Sequence, residues 1–312
     1  MRKVWIPHKS GFEFLHGLPA DVLVEVADDP ARLPSDVNGV EFWVPTFLDQ
    51  PSMLPLAGSL PDLRVLQLPS VGADGWLNRV RDGVAVATAR GVHEASTAEW
   101  AIGAVLASLR RFPEFVRARR WAPLPGGELF GKRVLIVGAG AIGTAVADRL
   151  APFGVTVTRV ARTPRPAEGV HGVGELPLLL PAADVVILLV PLTAGTRGLI
   201  GRRELAALPD GALVVNAARG PVVDEQALRE ELRSGRLSAA LDVVDHDPLP
   251  AEDVLWKMAN VLVTPHVGAW TTGMRDRIYR LVADQLDRYL SGRELLHRVD
   301  ELHRSADIVA MP

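Results

Sequence analysis

The chain has 312 residues, too many for one average domain and few for three, which sets an expectation of two. Its 34 basic and 37 acidic groups leave a net charge of −3, so no global field favours nucleic acid, and the absence of cysteine excludes disulfides, thiolate metal sites and thiol catalysis. No uninterrupted apolar stretch reaches the ~18 residues needed to cross a bilayer, and Pro7 and His8 arrive before any long apolar run, so a cytoplasmic protein with no membrane partner is expected.

The first third carries short β-rich runs at 4–6, 22–26, 40–44, 65–68 and 84–87, separated by Pro, Gly and Asp. Several are continuously apolar, which suits strands buried on both faces of a parallel sheet. A helix is predicted from Ser96, where Ser96 and Glu99 have capping-box spacing. Ala98, Ile102, Val105, Leu109 and Phe112 trace one apolar stripe on it, which Pro113 disturbs or ends. Residues 119–127, rich in Pro, Gly and Arg around Trp121, read as a surface connection. Strands resume at 134–137, 155–160, 185–189, 213–216, 239–243 and 261–264, with helical patterns between several of them. One such helix follows Asp224, with Leu228 and Leu232 inward and Gly235 as its C-terminal stop. A last helix, 272–290, carries Ile278, Leu281, Val282, Leu286 and Tyr289 on one side and is able to return the chain to the first domain. This alternation predicts an α/β protein with doubly wound parallel sheets.

The segment 134–143 places GxGxxG directly after an apolar strand and before a helix whose Ile142, Val146, Leu150 and Phe153 face one way. Gly138 permits the tight turn, Gly140 lets backbone approach a pyrophosphate, and Gly143 lets helix and strand pack closely. The N-H groups of the helix start, at Ala141 and Ile142, are the anion's partners. A dinucleotide, rather than a ligand-free turn, is therefore expected here. Eighteen residues beyond Gly143, where a carboxylate would receive the ribose 2′-OH of NAD, stands Ala161. Arg162, Thr163 and Arg165 follow, two cations and a hydroxyl that suit a phosphate dianion. NADP is favoured, with NAD as the alternative; a solvated arginine loop is the other reading.

Three further signals lie just beyond apolar strands: Asn216-Ala217-Ala218-Arg219-Gly220, the run from Asp242 to Pro248, and Thr264-Pro265-His266-Val267-Gly268. In open α/β sheets ligands bind there, which makes Arg219, Asp247 and His266 candidates to converge beside a nicotinamide.

With these motifs in this order, and Val190-Pro191-Leu192-Thr193 between them, the sequence resembles the D-isomer-specific 2-hydroxyacid dehydrogenases, which include glyoxylate/hydroxypyruvate reductases. The match is most specific over 131–269; the first hundred residues match by layout and by Ser96-Thr97-Ala98-Glu99. The resemblance implies a flavodoxin-like substrate domain formed by residues 1–95 and 285–312, into which a Rossmann dinucleotide-binding domain, 96–284, is inserted. It also implies a homodimer with contacts at 96–112 and the 119–127 arm.

By the same resemblance, Arg219 would clamp the carboxylate and carbonyl of a small 2-oxo acid. His266 would exchange a proton with the substrate oxygen while hydride passes to or from the nicotinamide, and Asp247 would orient His266 and favour its imidazolium form. Pro191 and Thr196 would lie along the adenosine and pyrophosphate side, and Ala217 and Gly268 would add cofactor contacts. Asp242 would contact the nicotinamide amide or cap local backbone. Ser70, Val71 and Gly72 would offer backbone N-H groups to the substrate carboxylate or form an ordinary turn. Phe47, Trp100 and Trp270 are either pocket wall or interdomain packing.

The sequence departs from the family at Asp247, where Glu is usual. Asp is one methylene shorter, so reaching His266 is expected to need a backbone shift or a bridging water; the neighbouring His246 reads as a solvated loop residue. The expected activity is hydride transfer between NAD(P)H and a 2-oxo acid or D-2-hydroxy acid, in the reductase direction and without a metal. Asp247 leaves open the alternative of a nucleotide-sensing binding protein without turnover; a dehydrogenase of a non-carbonyl substrate such as formate or phosphite is a second alternative.

Overall fold

In the computed structural model, which describes residues 1–47 and 50–299, the apolar runs become two parallel sheets. The expected substrate-domain residues 300–312 lie outside the described residues. The chain divides into one unit made of Met1–His93 with the segment from Thr272 onward, and a second made of Glu94–Thr271.

The first unit holds β1 (Arg2–Ile6), β2 (Val22–Val26), β3 (Val40–Trp43), β4 (Val65–Gln67) and β5 (Ala85–Ala87). They pair in the order β2-β1-β3-β4-β5, every pair parallel, which is the flavodoxin-like order. Successive side chains point to opposite faces, so each strand feeds two cores. Trp5, Val40, Trp43 and Leu66 enter one with Trp76, whose indole meets that of Trp43 edge-on at 5.6 Å. Val4, Ile6, Phe42 and Val65 enter the other, covered by Ile278, Tyr279, Val282 and Leu286 of the helix Met274–Leu290. That helix therefore belongs to the first unit, and the second crossing falls at 271/272 instead of the expected 284/285. Its apolar face finds its partner in the first sheet.

The second unit holds β6 (Arg133–Val137), β7 (Thr156–Ala161), β8 (Val170–Gly172), β9 (Val185–Leu188), β10 (Leu213–Asn216), β11 (Ser238–Leu241) and β12 (Val261–Val263). The order is β12-β11-β10-β9-β6-β7-β8, again all parallel. Counted from its own first strand this is the Rossmann order 3-2-1-4-5-6 with one strand added. Val134, Ile136, Val185 and Ile187 face the core shared with the helix Glu94–Leu109, and Leu135, Val137, Val186 and Leu188 face the other.

Three local expectations differ from what forms. The edge strand β8 has only Val170, His171 and Gly172, too short and too polar to announce itself. The predicted Ser96 helix begins at Glu94, so Ser96 and Thr97 are buried inside its first turns and do not cap it. That helix stops before Arg111, whose φ of 57° is left-handed, and Pro113 opens a second helix, Phe112–Ala118, instead of closing the first. Phe112 accordingly leaves the stripe and is exposed.

The helix Glu225–Arg233 starts as its sequence suggests: Asp224 accepts a hydrogen bond from the Ala227 N-H at 3.0 Å, Leu228 and Leu232 are buried, and Gly235 at φ 74° follows the end. Arg229 on this helix donates to both Asp253 carboxylate oxygens at 2.8 Å and to Glu225 Oε1 at 2.8 Å. The fork of the guanidinium holds the Asp253 carboxyl below its ordinary value of 3.8, chiefly through that hydrogen bonding. A depressed carboxyl contributes stability that is present above its unfolded value and lost as pH falls through its folded value. Urea unfolding of Arg229→Ala is expected to show a loss of about 2 kcal/mol at pH 7, shrinking below pH 3.8 as Asp253 protonates. A loss equal at both pH values would remove the ion pair as its cause.

Candidate active site

The second sheet ends on a single row. Register pairs Val160 with Val137, Val137 with Leu188, Leu188 with Asn216, Asn216 with Leu241, and Leu241 with Val263. One residue further on, the ladder closes with Gly138 N-H to Val160 O at 2.8 Å, Leu189 N-H to Val137 O at 2.8 Å, and Ala217 N-H to Leu188 O at 3.2 Å. Asp242 N-H to Asn216 O at 3.0 Å and Thr264 N-H to Leu241 O at 2.9 Å complete it. The glycine loop and the loops of Thr196, Arg219, Asp247 and His266 all depart from this carboxyl edge, where doubly wound sheets bind ligands.

The glycine loop is shaped by close approach. A Cβ on Gly143 would lie 1.9 Å from Gly138 O, so no larger residue lets the helix Ala141–Leu150 start there. Gly138 itself sits at φ 120°, and Gly140 faces open space with nothing within 4 Å of where its Cβ would be. Gly140 caps the helix without a side-chain acceptor, leaving the first N-H groups for an anion. These features fit a dinucleotide pyrophosphate.

Beyond β7, Arg162 and Thr163 are exposed. Arg165 is engaged within the chain: its Nε donates to Glu168 Oε2 at 2.9 Å and its Nη2 to Ala139 O, inside the glycine loop, at 2.9 Å. Beyond β9, Thr196 shapes its own loop, donating to Pro191 O at 2.6 Å while its Oγ1 accepts the Thr193 N-H at 2.8 Å.

After β10, the buried Asn216 side chain bonds both ways along its turn, accepting the Ala218 N-H at 3.0 Å and donating to Arg219 O at 3.0 Å. Arg219 Nη1 donates to Ala218 O at 2.8 Å. A Cβ on Gly220 would lie 2.0 Å from Val244 O, so the Arg-Gly pair lets this loop press against the one that carries Asp247. Glu225 secures the second loop, its Oε2 accepting the Asp245 N-H at 2.7 Å.

His266 Nδ1 lies 3.0 Å from Asp247 Oδ2, with both side chains about half exposed. The shorter acid thus reaches the imidazole directly, with no water between them. His246 is exposed. His266 has a left-handed backbone, φ 54°, uncommon for a residue with a Cβ. Asp242, buried below it, holds that turn: its Oδ1 accepts the Thr264 hydroxyl at 2.6 Å and the Val267 N-H at 2.8 Å, and its Oδ2 accepts the Gly268 N-H at 2.7 Å. The Asp242 backbone carbonyl accepts the His266 N-H at 2.8 Å. These bonds show Asp242 capping local backbone, one of the two roles open to it.

Asn216 and Thr264 open two of the sequence signals but were given no role of their own, and Glu225 carried no local signal. In the first unit, Ser70, Val71 and Gly72 follow β4 in a turn where Ser70 Oγ donates to Gly72 O at 2.7 Å. Phe47 packs its ring on His93, centroids 5.5 Å apart. No helix among the described residues is long and apolar enough to cross a membrane.

Residues 100–268 match the family model described as D-isomer specific 2-hydroxyacid dehydrogenase, NAD binding domain. A glyoxylate/hydroxypyruvate reductase A from Arabidopsis thaliana is 35% identical over 253 residues, covering 77% of this chain and 80% of the relative. Among solved structures, a D-isomer specific 2-hydroxyacid dehydrogenase from Xanthobacter autotrophicus Py2 in complex with NADPH and MES aligns with a TM-score of 0.80 at 31% identity, over 98% of this chain and 99% of that one. An NADPH-dependent glyoxylate/hydroxypyruvate reductase from Sinorhizobium meliloti in complex with NADP and sulfate aligns with a TM-score of 0.82 at 28% identity, over 98% and 100%. The parallel sheet ending on one row, the glycine loop and the matched segment together place this chain in the D-isomer specific 2-hydroxyacid dehydrogenases, an NAD(P)-dependent oxidoreductase family.

Proposed function

We propose that this protein is a cytoplasmic, homodimeric NADPH-dependent reductase of a small 2-oxo acid such as glyoxylate or hydroxypyruvate. The observation that carries the reading is the 3.0 Å contact of His266 Nδ1 with Asp247 Oδ2. An imidazolium whose Nδ1-H is donated to a carboxylate presents its Nε2-H outward as a proton donor. Bound NADPH would supply the hydride to the carbonyl carbon. His266 then gives its proton to the carbonyl oxygen, leaving neutral imidazole and a 2-hydroxy acid, while Asp247 holds the ring in place throughout. Arg219 has the planar fork that matches a carboxylate beside a carbonyl, and its charge draws the 2-oxo acid in and polarises the carbonyl toward attack. Direct contact with His266 removes the reason the shorter Asp247 gave for a sensor without turnover.

Preference for the phosphorylated cofactor is assigned to Arg162 and Thr163, which stand exposed where a ribose carboxylate partner is missing. Relatives with bound NADPH and NADP support it. Dimerisation is assigned to the helix Phe112–Ala118 and the arm after it, where Phe112, Val116 and the fully exposed Trp121 carry apolar surface that none of the described residues covers. The absence of cysteine accords with a reducing compartment.

Three measurements test this reading. Against a panel of 2-oxo acids, kcat/KM is expected to be higher with NADPH than with NADH, and Arg162→Ala to raise KM for NADPH about tenfold or more while barely changing that for NADH. Equal or better efficiency of the parent with NADH overturns the cofactor assignment. His266→Asn is expected to lower kcat by about 100-fold or more with NADPH binding retained; a variant that still turns over removes His266 from the chemistry. Light scattering is expected to give twice the chain mass for the parent and a smaller particle for Val116→Ser combined with Trp121→Ser, whereas a monomeric parent would refute the dimer.

A further inference from the structure

The Asp242 carboxylate anchors the His266 loop, and one of its three donors is itself held by a different element. Trp100 lies on the helix Glu94–Leu109, and its Nε1-H donates to Thr264 Oγ1 at 3.1 Å, the same hydroxyl that lies 2.6 Å from Asp242 Oδ1. An indole N-H only donates and a carboxylate only accepts, so the chain has one polarity: indole to hydroxyl, hydroxyl to carboxylate. Thr264 has a single hydroxyl proton. By occupying the oxygen as a donor, Trp100 commits that proton to Asp242.

The indole also packs beneath the end of the loop. A Cβ on Gly268 would meet Asp242 Oδ2 at 2.8 Å and Trp100 Cγ at 3.4 Å, so carboxylate, indole and loop backbone share one close contact. Trp100 is itself fixed, because its helix buries Ala98, Ala101, Ile102 and Val105 in the core that holds Val215 of β10 and Ala240 of β11. His266, at φ 54°, occupies a backbone conformation that persists only where its surroundings impose it.

We propose that Trp100 is a positioning residue for His266, acting through the chain Trp100–Thr264–Asp242. Bonds in such a chain polarise one another, so loss of the indole donor weakens the hydroxyl-to-carboxylate bond as well. The loop then samples other backbone arrangements, and the proton donor is less often aligned with the substrate oxygen. This inference rests on the proposed reductase activity.

The test compares Trp100→Phe, which keeps an aromatic ring and removes the donor, with the parent enzyme. The expected result is kcat about five- to tenfold lower, NADPH dissociation constant and thermal midpoint nearly unchanged, and an altered pH profile of kcat. Thr264→Val is expected to show a similar loss, Thr264→Ser to keep the parent kcat, and the double variant Trp100→Phe with Thr264→Val to lose no more than Thr264→Val alone, because both remove one chain. A Trp100→Phe enzyme with the parent's kcat, or one that loses NADPH affinity and kcat in equal proportion, overturns the assignment. Should the parent reduce no 2-oxo acid, the reductase reading falls by itself. Trp100 is then judged by the His266 ring resonances, identified by their loss in His266→Asn: displacement in Trp100→Phe supports the role, and unchanged resonances overturn it.

Discussion

Everything at the carboxyl edge of the second sheet depends on five backbone hydrogen bonds, from Gly138, Leu189, Ala217, Asp242 and Thr264 to their neighbouring strands. They tie the ends of six parallel strands at one level, so loops far apart in sequence leave the sheet side by side. Parallel register is unforgiving, since a slip of one residue would exchange the two faces of a strand. Leu135 and Ile136, or Val186 and Ile187, belong to different cores, and a slip would move each into the wrong one. Burial on both faces thus fixes the level from which the candidate site is built.

Above that level two kinds of constraint shape the loops. One is steric: Gly143 and Gly220 stand where a Cβ would fall about 2 Å from a backbone oxygen, so helix meets strand and loop meets loop at distances only glycine allows. The other is electrostatic, the buried Asp242 carboxylate gathering a hydroxyl and two N-H groups around the left-handed turn of His266. A buried carboxylate is costly unless its oxygens are filled, and filling them organises the turn. Asn216 does the same for the Arg219 turn with a neutral amide. Under the proposed function these polar groups hold the residues that meet substrate.

Some of this was legible in the residues. The strand runs, the glycine fingerprint and the Asp224 helix start declare themselves because each depends on neighbours a few positions away. Other features gave no such signal. Arg165, read as a cation for phosphate, also donates to Glu168 and to Ala139 O, contacts that its sequence position does not announce. The break at Arg111 is a backbone conformation, which Pro113 mimics in the sequence while serving as a helix start. Asp247, doubtful on side-chain length, reaches His266 because the two loops approach closely.

The sequence by itself determined the α/β class, the dinucleotide loop and the order of the candidate residues, because apolar periodicity and glycine spacing are local properties of the chain. Tertiary structure alone decided that the last helix belongs to the first unit, that Asp247 meets His266, and that Trp100 stands behind Thr264. These pairs lie 19 and 164 residues apart. Only the packing of strands at a common level brings such residues within hydrogen-bonding distance, and no short-range pattern records it.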